Sequence, residues 1–377
     1  MKTNNSICLT MATVFTLFLF SCKKEDVSGS GQLSRNSSVT SNAVTIKVFA
    51  RNLNNPRGLK WGPDGNLYVA EGGKGGTDST RGICKQVVAP IGPYRGSRTG
   101  GRISKITPDG VHTILVRDLP SSQTSAASGA FVSGVADVAF LGDGMYAVLS
   151  GAGCSHGVQS MDNGVVKIFP DGSWKFIANL SAFQHYHPVK NPEPDDFEPD
   201  GTWYSMITVK KDLYALEPNH GELVRITRDG QIKRIIDISA FEGHIVPTAL
   251  GFIYGNFYMG NLNPFPIIDG SSKIYKITMD GQISVWAEGF TTVLGITFDS
   301  QGRMYVLENT TGNPFPTPGT GDIIRVNKDK SRDVIASHLS LPTGMTMGPD
   351  GKLYVSVNGF GPNAIGGGQI LQIPVTN

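Results

Sequence analysis

One short phrase recurs six times along the chain, each time an apolar residue, a tyrosine and a second apolar residue: Leu67-Tyr68-Val69, Met145-Tyr146-Ala147, Leu213-Tyr214-Ala215, Phe257-Tyr258-Met259, Met304-Tyr305-Val306 and Leu353-Tyr354-Val355. Six of the eleven tyrosines stand in this register, spaced 78, 68, 44, 47 and 49 residues apart, so the unit is about 45 residues long with insertions in its first two copies. A repeat of this size cannot bury its apolar face alone and must stack on its neighbours; the period is that of a four-stranded propeller blade. The other strands are legible too. Ahead of each tyrosine strand stands an apolar one, as in Gly58-Leu59-Lys60-Trp61, joined by a turn such as Pro63-Asp64-Gly65. After it come a variable loop, a third strand such as 102–106, an Asp-Gly turn beginning at 109, 171, 229 or 280, and a fourth strand. Asp-Gly suits such hairpins because both central residues of a type I′ turn take positive φ. The sequence predicts an all-β, six-bladed β-propeller of four-stranded antiparallel blades. A β-sandwich, the rival fold, does not account for six copies of one register. Segment 45–49 reads as a fourth strand and 370–373 as a third, so the N-terminal strand is expected to complete the last blade and leave no free sheet edge.

The first residues read as an address. Residues 1–21 carry a lysine at position 2 and an apolar run over 11–20, half of the ~20 residues that cross a bilayer, which predicts a secretory signal peptide. Its end, Leu19-Phe20-Ser21-Cys22, resembles a bacterial lipoprotein cleavage box, and Lys23-Lys24-Glu25-Asp26 resembles the charged surface-export tag of some Bacteroidota lipoproteins. The resemblance implies lipidation at Cys22 and a cell-envelope protein anchored to the outer membrane and exposed at the surface; an ordinary signal followed by a chance cysteine is the other reading. Residues 22–43, rich in Ser, Gly and Asn without apolar periodicity, are expected to form a flexible tether, and 44–377 the propeller. The formal charge of +2, from 33 Lys and Arg against 31 Asp and Glu, leaves no basic field for nucleic acid. The expected state is a monomer that meets the membrane through its lipid anchor only.

The phrases Asn55-Pro56-Arg57-Gly58-Leu59, Gly62-Pro63-Asp64-Gly65-Asn66-Leu67-Tyr68-Val69-Ala70-Glu71 and Pro342-Thr343-Gly344 resemble NHL-type propellers. More narrowly, Gly153-Cys154-Ser155-His156-Gly157, with a glycine-rich insertion at 72–101, resembles the ScyD/ScyE family, whose founders are linked with biosynthesis of the cyanobacterial sunscreen scytonemin. The resemblance spans 46–375. It implies the ring and an association with a pathway, and a fold by itself licenses no reaction.

Long insertions at 71–101, 117–133, 150–164, 179–202, 261–272 and 308–321 all fall on one face of the ring, where a rigid scaffold presents variable loops. That face is the expected binding surface for a small molecule or protein partner. His156, His185, His187, His220 and His244 fall there too; His156, His220 and His244 are candidate general bases, or else loop histidines bonded locally. Three residues after four of the tyrosines stand Glu71, Glu217, Asn261 and Glu308. These hard-oxygen groups either hold Ca²⁺ or Mg²⁺ at the channel mouth or cap the following loops by accepting backbone N–H groups. Similarity to the wider six-bladed group, which includes metal-dependent sugar lactonases, implies a hydrolase of a lactone or cyclic ester as the alternative function. A quinone-dependent sugar dehydrogenase, whose propellers also open with Asn-Pro phrases, is a third.

Arg57, Asp137, Thr202, Thr248 and Thr343 are expected to line the channel mouth, with Arg57 either holding an anionic oxygen or paired to a neighbouring acid. The acidic stretch from Glu193 to Asp200 reads as a solvated loop. With Cys8 in the signal and Cys22 lipidated, Cys84 and Cys154 remain, in loops of adjacent blades on one face of an exported protein, and a disulfide between them is expected; a Cys-His-Cys metal site is the rival. Nine of the 47 glycines lie between 71 and 101, where a flexible segment held by that disulfide is expected to cover the channel mouth.

Overall fold

The computed structural model describes residues 45–375, apart from 143, 196, 312, 313 and 362. The expected signal peptide, Cys22 and the tether lie outside the described residues. Six antiparallel sheets follow one another along the chain. The first consists of Pro56–Trp61, Leu67–Glu71, Arg95–Ile106 and His112–Gln123, with the short Val132–Ser133 added at its outer edge. The next four begin at Val135–Leu141, Ser205–Val209, Pro247–Ile253 and Val293–Phe298. The sixth consists of Gly344–Met347, Leu353–Val357 and Ile365–Ile373, and Lys47–Asn54 pairs with the last of these as the fourth strand.

The recurring tyrosine has a physical reason. All six are buried, and their rings fill the gaps between blades: Tyr68 meets Phe140 at 5.3 Å, Tyr214 meets Phe257 at 4.8 Å, Tyr258 meets Phe298 at 5.8 Å and Tyr354 meets Trp61 at 4.9 Å. The hydroxyls reach the turns between first and second strands, where Tyr68, Tyr305 and Tyr354 donate to Asp64, Asp299 and Asp350 at 2.8, 3.1 and 3.1 Å. A side chain with an apolar body and a polar tip fits a position buried in its middle and wet at its end. The apolar core is divided accordingly. Each of six clusters straddles two adjacent blades, from Ala70 and Ile103 against Val138 and Leu149 round to Leu59 and Val69 against Tyr354, Ile370 and Leu53. Stability is thus a property of interfaces between neighbours, as in other repeat architectures.

The glycine-rich insertion is not the flexible cover that its composition suggests. Asp78 bridges to Gly96, and a disulfide joins Cys84 to Cys154 on blade two. A Cβ built on Gly76 would lie 1.9 Å from the Gly96 carbonyl carbon, and one on Gly96 would lie 2.4 Å from the His156 carbonyl oxygen. The glycines permit three backbone segments to pack against one another, which no larger residue allows. The segment 72–101 is a tightly laid flap on blade two.

Candidate functional site

Strand pairing fixes which residues face the ring axis. On the inner strands, Leu59, Val138, Met206, Leu250, Ile296 and Met345 each oppose the residue that follows a repeat tyrosine. Two residues before them, at the long-loop end, stand Arg57, Ala136, Tyr204, Thr248, Leu294 and Thr343. All six line one cavity of ≈ 230 Å³, to which every blade therefore contributes at its mouth. Of the residues expected there, Arg57, Thr248 and Thr343 hold the equivalent position, Thr202 lies two residues further out but still on the wall, and Asp137 lies one residue deeper. The rim is supplied by the loop after the fourth strand of blade one, with Phe131, and by the loops between second and third strands of blades four, five and six, with Phe265, Pro316 and Phe360. No lining residue comes from 72–101, so the expected cover is absent among the described residues.

Most polar groups in this wall are already committed. The Thr248 hydroxyl donates to the Val293 carbonyl and the Thr343 hydroxyl to the Pro56 carbonyl at 2.6 Å, each a latch onto the next blade. Thr202 donates to Glu198, and Asn309 Nδ2 to the Pro342 carbonyl at 2.8 Å. Tyr204 donates to the Thr343 carbonyl at 2.8 Å. Blades three and six stand opposite in a ring of six, so this bond spans the axis. Burial raises the Tyr204 pKa well above its ordinary value, which keeps the hydroxyl neutral and donating. Below it, buried Asp137 accepts the N–H groups of Met206 and Val138, both at 2.9 Å, with Lys60 at 3.6 Å; burial raises its pKa against the pull of Lys60.

Arg57 differs. Its guanidinium donates to the Gly359 carbonyl and, at 2.6 Å, to that of Val132, and among the described residues no carboxylate pairs with it. The two acceptors neighbour Phe360 and Phe131, whose rings meet edge to face at 5.4 Å. Desolvation lowers the Arg57 pKa, opposed in part by Tyr204. The result is a fixed cation under an aromatic pair.

The candidate metal ligands do not converge. Glu71 accepts from the Asn54 N–H and pairs with Arg102 at 2.7 Å; Glu217 accepts from the Thr202 and His220 N–H groups; Glu308 accepts from the Thr291 N–H at 2.6 Å. Asn261 accepts from Lys273 N–H at 2.7 Å and donates to the Ile245 carbonyl at 3.0 Å. Three of the four fasten the chain just before an inner strand, Asn261 holds that connection through its amide, and none lines the cavity. Among the described residues no group of three or more His, Cys, Asp or Glu is placed to hold a metal ion. The donor set does not fit Ca²⁺ or Mg²⁺, and the loop-capping alternative is the one the hydrogen bonds match.

The candidate bases also lie outside the cavity. His156, fully buried, contacts Ser122 through Nδ1 and the Gly201 carbonyl through Nε2, both at 3.1 Å, with Tyr94 edge-on at 4.9 Å; burial lowers its pKa, so the ring is a neutral strut. His220 Nε2 bonds the Glu198 carbonyl at 2.9 Å, and His244 lies 3.5 Å from Glu193. The acidic stretch is solvated only in part: Pro194 and Asp195 are exposed, whereas its C-terminal end is engaged. Glu198 is buried against Tyr94 and Thr202, and Asp200 accepts from the Ser155 N–H at 2.7 Å.

Sequence reasoning missed Tyr204, Leu294, the aromatic rim and two serines, Ser133 and Ser150. Counting back two residues from the partner of each tyrosine strand would have found the first two. Phe131, Phe265 and Pro316 fall in long insertions that the sequence places on this face, but nothing within those insertions singles them out as the rim.

The sequence matches no protein-family model and no curated protein. Among solved structures the chain is similar to a gluconolactonase from Xanthomonas campestris, at 10% identity over 88% of this chain and 90% of that one, with a TM-score of 0.53. It is also similar to a putative oxidoreductase (glucose dehydrogenase) from Thermus thermophilus, at 14% identity over 88% and 100%, with a TM-score of 0.53. A putative gluconolactonase is similar at 11% identity over 89% and 93%, with a TM-score of 0.51. At these identities the likeness concerns the fold alone.

Proposed function

We propose that this chain is a monomeric cell-envelope lipoprotein whose propeller binds a small molecule in the cavity on its long-loop face. The observation that carries the reading is the cavity itself, lined mainly by apolar side chains from all six blades around one cation that no carboxylate pairs with among the described residues. Catalysis of lactone hydrolysis needs a converging set of metal ligands or a base at the cavity, and the carboxylates and histidines that would supply them are engaged elsewhere. The ScyD/ScyE resemblance is part of the same proposal and adds no ligand to it.

A neutral fluorescent probe, 2-naphthol, is expected to bind saturably with one site per chain, and Leu262→Trp, which narrows the cavity mouth, is expected to abolish that binding while the circular dichroism stays unchanged. Absence of saturable binding, or binding indifferent to Leu262→Trp, overturns the reading. For the anchor, the wild-type chain is expected in the membrane fraction and released only by detergent, whereas Cys22→Ala is expected in the soluble fraction; equal partitioning of the two ends the lipoprotein assignment.

A further inference from the structure

The composition of the cavity wall restricts what can sit there. Arg57 is the only charged residue among the described residues that line it, so its occupant has one charge to meet. A guanidinium has five N–H groups, and two carbonyls engage Arg57, which leaves donors for a ligand. The hydroxyls of Ser133 and Ser150, also in the wall, have no hydrogen-bond partner among the described residues. Of the other polar side chains there, the buried Trp203 indole N–H has no hydrogen-bond partner among the described residues, and Thr202, Tyr204, Thr248, Asn309 and Thr343 are hydrogen-bonded within the ring. A polyol would therefore leave most of its hydroxyls unpaired against apolar walls, at roughly 1–3 kcal/mol each. A phosphate dianion would bring a second charge with no partner into the same surroundings. The ≈ 230 Å³ volume falls below the ~300–1,000 Å³ of typical ligand pockets, which excludes an oligomer and suits one or two fused rings.

We propose that the cavity takes a small carboxylate monoanion with an aromatic or otherwise apolar body, its carboxylate held by the Arg57 guanidinium and its body against Phe131, Phe360, Phe265 and Leu294. The inference rests on the cavity being a small-molecule site. Two backbone carbonyls hold the guanidinium in place before the ligand arrives, so little ordering remains when a carboxylate binds. The desolvation that lowers the Arg57 pKa in the free protein is relieved by an arriving anion.

The test uses 2-naphthoate and its neutral isostere 2-naphthamide at pH 7, with dissociation constants measured by calorimetry. Wild type is expected to prefer the carboxylate by about 10- to 100-fold, the range of a charge-assisted pair over a neutral one. Arg57→Gln is expected to remove the preference by weakening naphthoate alone, while Arg57→Lys retains part of it. Equal affinity of the two probes for wild type overturns the anion assignment but leaves the cavity a small-molecule site. Failure of both probes to bind overturns the two readings together, and a preference that survives in Arg57→Gln overturns the role of Arg57. The comparison in wild type decides the matter even if Arg57→Gln fails to fold.

Discussion

Replacing Cys84 and Cys154 together by serine is expected to lower the unfolding free energy by about 4 kcal/mol, the loop-closure entropy of a cross-link between residues 70 apart. The cross-link ties an insertion of blade one to the turn of blade two that carries His156. That turn is itself held by the Ser155–Asp200 hydrogen bonds, so three parts of the long-loop face share one fastening. Loss of the bond should show first as local opening. The double variant is expected to lower the urea midpoint and to become cleavable by trypsin at the exposed Arg81 and Lys85, and the wild-type protein, unfolded without reductant, should show no reactive thiol from these two residues. An unchanged midpoint with unchanged resistance to trypsin would show that packing of the flap suffices without the bond.

The second large effect concerns Glu308. Glu71 and Glu308 hold the same place in their blades, but Glu71 has Arg102 against it, whereas no cation contacts Glu308 among the described residues. Burial pushes the Glu308 carboxyl up to about 7, with Asp322 and Asp269 adding to the shift and the Thr291 N–H and Arg332 opposing it. The folded state then binds a proton that the unfolded state has released, so stability from this group is present below about pH 4.5 and is lost as pH rises towards 7. Glu308→Gln keeps an acceptor for Thr291 and removes the charge. It is expected to exceed wild type in stability by roughly 2–3 kcal/mol at pH 8 and to match it at pH 4. Urea denaturation of both proteins at the two pH values measures this; a variant less stable than wild type at pH 8 would show that the ionised carboxylate is tolerated and needed.

The ring was legible in the sequence because one residue type, tyrosine, answers a requirement repeated at every blade interface. The disulfide was legible because two cysteines had nowhere else to go. The roles of the carboxylates were harder to read, since spacing places Glu71, Glu217 and Glu308 at one structural position but does not reveal whether an oxygen there meets an ion or a backbone N–H. Histidines mislead for a related reason: His156 lies in a loop by register yet is buried, because a neighbouring insertion lies over it. Thr248 and Thr343 were correctly placed at the mouth, but as latches between blades they have little polarity to offer a ligand. The rim residues Phe265, Pro316 and Phe360 come from equivalent loops of unequal length and Phe131 from a fourth, so only the folded chain brings them together.

The bond from Tyr204 to Thr343 affects traffic through the ring. This strut crosses the axis, and Asp137, bonded to the Met206 N–H, lies one residue deeper on its strand. A molecule held above the strut is expected to enter and leave on the long-loop side. Residence time is then governed by how readily the rim loops part, while the strength of attachment is governed by Arg57. Because the rim residues Phe131, Phe265 and Phe360 also bear on the ligand's body, and the carbonyls beside two of them hold Arg57, changes to the rim are expected to alter rate and affinity together.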